Sequence, residues 1–409
     1  MPVSRPPPRK PDTDRDAGRR RYGDAVRRTR GSTVQIESEA ELARRLALRP
    51  TSLDGWRIRG VDLAGHIEAL DVCRLDGATF IGCTAPDDAA VGLRARGALV
   101  VPEQRDLPLD PDRAALYTAA ELYDTVIDGG SYAASLDARG YAWTQRLEER
   151  DVARIAALHD HAIDAALRAW VDAQAMPVVG VMGGHALARG TVEYADAVTL
   201  GRLLGGGHVV ATGGGPGAME ASNLGARLAH LSDDVTDYAL ERLAQASSFR
   251  PSVDAWVLPA LQIAAEAAQL SPVPAHTLGV PTWHYGHEPP NAFATAIAKY
   301  VGNAVREAVL LEICGAGIVV LPGAAGTVQE IFQDACENYY ADESSVAPMV
   351  LVGRKHWTET LPAWPLLQSL ARGRAMEAHV HLVDDVHQAA ELIRSQPPRA
   401  TADDLHAPR

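Results

Sequence analysis

Apolar runs of strand length recur through the second half of the chain, and stretches with helical spacing separate them. The runs are "PVVGVMGG", "HVVATGGG", "HTLGVPTW", "GIVVLPG", "PMVLVG" and "HVHLVDD". Continuous apolar strands alternating with helices predict a parallel sheet covered on both faces. The expected fold class is therefore α/β: a Rossmann-like parallel sheet with helices on both faces, plus a smaller N-terminal α+β domain. The first half has a shorter rhythm. "STVQIESEAELARRLAL" predicts a short strand and then a helix, and "LDGWRIRGVDLAGHIEALDVCRLDGATFIGC" gives short apolar beats broken by Gly and Asp. These beats are expected to be short strands with tight turns, stacked like rungs. "LDGATFIGC" has a faint likeness to a pentapeptide-repeat rung, but one rung does not establish a solenoid. "ALVVPE" closes the region, and "LYTAAELYDTVI" begins a helix with Thr118 as its N-cap.

The expected organisation is a disordered basic arm over 1–30, a structural or regulatory domain over 31–150, and a connecting helix over 151–176. A ligand-binding domain then spans 177–396, with a helical insertion at about 231–270, and 397–409 is a tail. The connecting helix carries His159 and His161 two residues apart, on different faces, which is wrong for a shared metal.

Composition changes this picture little. The 409 residues suit two domains, and 47% hydrophobic with 22% charged residues allows a sizeable core. A net charge of -13 argues against a nucleic-acid partner. No apolar stretch has the length of a membrane helix and the N-terminus has no apolar signal core, so a cytoplasmic protein without a membrane partner is expected. Cys73, Cys83, Cys314 and Cys336 form no CxxC pair, which suits a reducing compartment and argues against a cysteine-based zinc site.

The glycine-rich turns fall at the carboxyl ends of the predicted strands, where ligands bind on such sheets. Gly183 and Gly184 follow the first. Gly213, Gly214 and Gly215 follow the second and lead into a helix with Met219 in its first turn. Gly323, Ala324, Ala325 and Gly326 follow a later strand, with Thr327 next. Two such turns in one sheet, each opening a helix, point to an anionic ligand. Gly213, Gly215 and Ala218 also satisfy a dinucleotide fingerprint, but Asp233 or Asp234, at the expected distance, falls in the insertion. Glu330 lies one turn into the last of these helices. A carboxylate there either favours the helix dipole or faces the ribose of a bound nucleotide. In the second case it can stabilise charge at C1' and activate water as an N-glycosidic bond breaks.

The pair "TGGGPGAMEA" and "LPGAAGTVQE" resembles the LOG (Lonely Guy) family, often misnamed lysine decarboxylases, whose hallmark is PGGxGTxxE. The resemblance covers roughly Pro177 to Ile393. It implies a Rossmann-like phosphoribohydrolase, dimeric or tetrameric, that splits nucleoside 5'-monophosphates into free base and ribose 5-phosphate. It places the hallmark glutamate at Glu330 and the catalytic arginine at Arg306, in "NAVREAVLLEICGAG"; Asn303 shares the helix face of Arg306. No metal and no cofactor are implied. Three departures stand out: Ala324 replaces a glycine of PGG, Glu307 stands where short plant-type members carry Lys, and the chain is much longer. In length it is similar to the large bacterial nucleotide 5'-monophosphate nucleosidases. A sensor or carrier that uses the same pocket without turnover is the alternative. Tyr285, Trp283 or Asn291 is expected to meet the base in preference to a metal at His284, His287 and Glu288. Asp334, one turn past Glu330, is expected to orient it.

Overall fold

The computed structural model describes residues 34–101, 107–147, 150–284 and 288–395. The expected arm and tail, and Tyr285 and His287, lie outside the described residues. The chain divides into two compact units between Arg105 and Asp106.

The first unit is a four-stranded parallel sheet in chain order: β1 (Val34–Ile36), β2 (Trp56–Arg59), β3 (Thr79–Ile81) and β4 (Leu99–Val101). Ile36, Ile58, Phe80 and Val100 stand in register at offsets of 22, 22 and 20 residues. The expected rungs are present, and two of them share an eight-residue pattern, "LDGWRIRG" (Leu53–Gly60) and "LDGATFIG" (Leu75–Gly82). Gly77 has a φ of +82°, and a Cβ there would come within 2.0 Å of Asp54 Oδ1 on the rung before; Gly97 meets Asp76 in the same way. These two rungs thus need glycine where the previous rung's aspartate packs. The register column and Leu42, Leu53, Leu75 and Leu93 form one core.

The second unit is the expected α/β layer structure. Its strands are β5 (Val178–Met182), β6 (Val209–Thr212), β7 (Thr277–Gly279), β8 (Ala296–Ile297), β9 (Ile318–Val320), β10 (Met349–Val352) and β11 (Val380–Val383). The sheet order is β11-β10-β9-β5-β6-β7-β8, and every neighbouring pair is parallel. All six apolar runs became strands; β8, two residues long, was not foreseen. The order runs outward from β5 through β6 and β7, then restarts at β9 on the other side. Right-handed crossovers therefore place the helices following β5 and β6 on one face and the helix following β9 on the other. The switch point lies between β9 and β5, and a crevice opens there beyond the strand ends. On one face the helices Val192–Gly205 and Ala218–Arg227 pack closely. A Cβ at Gly225 would lie 1.9 Å from the Val198 carbonyl oxygen, so that contact requires glycine.

The boundary expected at residue 150 is corrected. Residues 107–147 pack with the α/β unit: Tyr117 bridges Ile297, Tyr132 N donates to Asp254 Oδ1 at 2.6 Å, and the Trp283 indole donates to Asp137 Oδ1 at 2.9 Å. Thr118 caps its helix as expected, in a reciprocal box with Glu121. The connecting helix spans Arg150–Asp172, and the insertion is helical over Asp233–Ala244 and Val253–Leu270. Among the described residues no helix is long and apolar enough to cross a membrane.

Candidate functional site

The turn after β6 is buried and satisfied from within. Gly214 and Gly217 both have a φ of +73°, which glycine adopts freely. Gly214 N donates to Thr212 Oγ1 (3.0 Å), and Thr212 donates to Asn223 Oδ1 (2.8 Å). The Asn291 side chain donates to the Gly215 carbonyl (3.2 Å) and to Asn223 (3.0 Å), while its backbone N donates to the Gly214 carbonyl (2.8 Å). Asn291 is fully buried, so the expectation that it reaches a base is corrected: it holds the glycine turn. Met219 lies under the same turn, its sulfur 2.8 Å from where a Gly213 Cβ would be.

Gly183 and Gly184 join this turn to the one after β9. Gly184 N donates to the Pro322 carbonyl (3.1 Å), and the Gly184 carbonyl accepts from Ala218 N (3.1 Å). A Cβ on Gly183 would strike Ala218 Cβ at 2.8 Å. These glycines span the switch point and bring the two turns together. At the same crevice His185 Nδ1 lies 3.5 Å from Glu288 Oε1.

The turn from Gly323 to Thr327 is different, because it is open. The helix Ala325–Tyr340 has no side-chain cap, and Ala324, Ala325 and Gly326 are exposed. The first-turn amides of a helix lack intrahelical acceptors, so these donors face outward. Thr327 is buried with its Oγ1 against the Gly323 Cα, 2.1 Å from where a Cβ would sit. A ring nitrogen of His356, Nε2, lies 3.0 Å from the Gly323 carbonyl and braces the turn. Ala324 has a φ of -122°, an ordinary extended value, so alanine sits there without strain.

Arg306 comes from the helix Asn303–Glu312. Val301 N and Gly302 N fix the start of this helix by donating to Asp160 at 2.8 and 2.7 Å. Arg306 is 8% exposed; Nε donates to the Val280 carbonyl (2.5 Å) and Nη2 to the Gly213 carbonyl (3.0 Å). Glu307 is also buried, with Oε1 3.9 Å from Arg306 Nη1, and it accepts from Asn303 (2.9 Å) and from Gln329. Glu330 is partly open to solvent and makes no hydrogen bond among the described residues. Burial pushes its carboxyl up to about 7; Arg306 opposes that rise and Glu307 adds to it. A carboxyl that is half-ionised near neutrality, flanked by an arginine and a second carboxylate, can accept or release a proton at a bound ligand.

The structure thus gathers Arg306, Asn303, Glu330 and Gly213 on one side of the strand ends. The Gly323–Thr327 turn lies at the head of the Glu330 helix, linked through Gly184 to the buried turn. Glu307, Gln329 and His356 were not foreseen as site residues; the only sequence signal was the acid at 307 where a lysine was expected. Trp283, expected as a stacking surface, is 1% exposed, and its ring lies 5.0 Å from Lys299 Nζ. It is a core residue. Asp334 accepts from Asn338 at 2.8 Å.

The fold and site define an α/β protein with a glycine-lined crevice at its switch point. Residues 261–395 match the family described as possible lysine decarboxylase, the family that the paired motifs resemble. Two solved structures are similar, both at 18% identity and a TM-score of 0.34. The molybdenum cofactor binding protein from Rippkaea orientalis covers 55% of this chain with 98% of its own length. The molybdenum cofactor carrier protein from Chlamydomonas reinhardtii covers 54% with 97% of its own. No curated protein matches the chain by sequence.

Proposed function

We propose that the second unit is a nucleoside 5'-monophosphate phosphoribohydrolase. The observation that carries this reading is Glu330, an unbonded carboxyl with a pKa raised to about 7 beside the uncapped Gly323–Thr327 helix start. In this mechanism the 5'-phosphate lies on the amides of Ala325, Gly326 and Thr327, and C1' faces Glu330. As the C1'–N bond breaks, its electron pair leaves with the base, and ionised Glu330 stabilises the positive charge developing at C1'. Glu330 then takes a proton from the attacking water, whose oxygen bonds to C1'. The departing base takes up one proton from solvent and Glu330 releases the water's proton to solvent, which restores its ionised form; the products are free base and ribose 5-phosphate. Arg306 balances negative charge on the substrate and limits the rise in the Glu330 pKa.

One observation favours a second reading, a carrier that binds without turnover: Arg306 already donates to the Gly213 and Val280 carbonyls. A chromatographic assay separates the two. AMP, GMP, IMP, CMP, UMP and their nucleosides are incubated with the protein and free base is quantified. Base from monophosphates alone, lost in Glu330→Ala while nucleotide binding persists, is the expected result. Saturable nucleotide binding with no base released would establish the carrier. The proposal extends to a cytoplasmic homo-oligomer, checked by sedimentation, and to a structural or regulatory N-terminal unit.

A further inference from the structure

Arg189, Arg306 and Arg227 are buried or partly buried in the second unit. Arg189 pairs with Glu220, both 1% exposed, and Arg306 lies beside Glu307. Arg227, at the end of the Ala218–Arg227 helix, differs from both. Its Nε and Nη2 donate to the Ala264 carbonyl at 3.2 and 2.9 Å, and Nη1 to the Phe293 carbonyl at 3.4 Å. Among the described residues no carboxylate pairs with it, and burial lowers its pKa with no charged neighbour contributing. In a chain of net charge -13, acids abound, yet none is supplied to this guanidinium.

Arg227 stands between two cavities. One, of about 530 Å³, is walled chiefly by Leu258, Leu261, Ala264 and Ala265. The other, of about 400 Å³, is walled by Ala268, Pro272 and Val273. Arg227 and Thr295 line both. Leu258 and Val273 are 44% and 48% exposed, so apolar surface continues to the mouths. Cavities of this size and lining bury small organic ligands, with a few polar groups to orient them.

We infer that Arg227 and the two cavities it joins form a binding site for an amphipathic carboxylate. Beyond these bonds Nη1 and Nη2 each keep a second N–H, to which a carboxylate presents its two oxygens, and an apolar body covers Leu258 and Leu261. A monoanion fits better than a phosphate dianion, because Arg227 is the only cation lining either cavity among the described residues. This site is separate from Glu330, and the inference stands whether or not that residue turns over a substrate.

Calorimetry on the full chain, with decanoate and decanol as probes, tests the inference. Saturable decanoate binding at least tenfold tighter than decanol is expected, with Arg227→Met lowering decanoate to the level of the alcohol. Leu258→Glu changes an exposed rim residue, leaves the Arg227 hydrogen bonds in place, and is expected to weaken decanoate about tenfold by like charge. No saturable decanoate binding to the wild-type chain overturns the site. So does an Arg227→Met protein that binds decanoate as the wild type does. If Arg227→Met does not fold, unchanged decanoate affinity in Leu258→Glu overturns it instead.

Discussion

Burial holds the Glu330 carboxyl at a pKa of about 7, above the ordinary glutamate value of 4.5. If its ionised form works on C1', the rate should climb tenfold per pH unit below about 7 and level off above it. Glu307→Gln removes a like charge that raises this pKa, so the midpoint of the pH–rate profile should move down. An unmoved midpoint would separate Glu307 from Glu330. The same shift has a sign in stability. Between pH 4.5 and 7 the native state holds a proton that the unfolded chain has lost, so stability falls as pH rises through that window, by roughly 3 kcal/mol at most. Glu330→Gln should therefore stabilise the fold at pH 8, on the order of 1 to 3 kcal/mol, and do little at pH 4; urea unfolding at the two pH values checks this. The glycine turn singled out Thr327 and raised Glu330 as a candidate, while Arg306 came only from the family resemblance. His356 was not legible, nor was the Gln329–Glu307 contact, since both arise from long-range packing that no local pattern records. Trp283 and Asn291 misled for the opposite reason. Each lies past a strand end, where a polar or aromatic side chain can turn inward as easily as outward.

Among the elements, the two glycine turns looked alike in sequence and differ in structure. The turn after β6 is closed by Thr212, Asn223 and Asn291, while the turn after β9 leaves its helix start open. Substitutions in the open turn should divide sharply. Gly323→Ala drives a methyl group into Thr327 and should weaken binding of phosphorylated ligands at least tenfold. Gly326→Ala meets nothing within 4 Å; it should leave binding unchanged and favour the helix by up to about 1 kcal/mol. Nucleotide titration of both variants reads the difference. Five of the six apolar runs were legible as strands because burial on both faces leaves little room for polar residues; the sixth, β11, is partly exposed along its length. The two-residue β8 carries too short a pattern to register.

For the whole molecule, the misplaced boundary has a physical cause. Residues 107–147 contain no long apolar run, so nothing in their pattern declares a partner. Among the contacts that fix them is Asp137, which meets Lys299 Nζ at 2.5 Å with both side chains nearly sealed from solvent. Burial lowers the Lys299 pKa and Asp137 opposes the shift. Asp137→Asn leaves that ammonium without its counter-charge and should cost about 3 kcal/mol, seen as a lower urea midpoint with activity per folded molecule retained. The N-terminal layers follow a different logic. Asp54 is matched to Gly77 one layer ahead and Asp76 to Gly97, so the Leu75–Gly82 layer carries both halves of the joint by which it is stacked. Duplicating one layer's coding sequence would add a unit that already fits above and below. Over evolutionary time the N-terminal unit can lengthen or shorten in whole steps, as masonry does by courses.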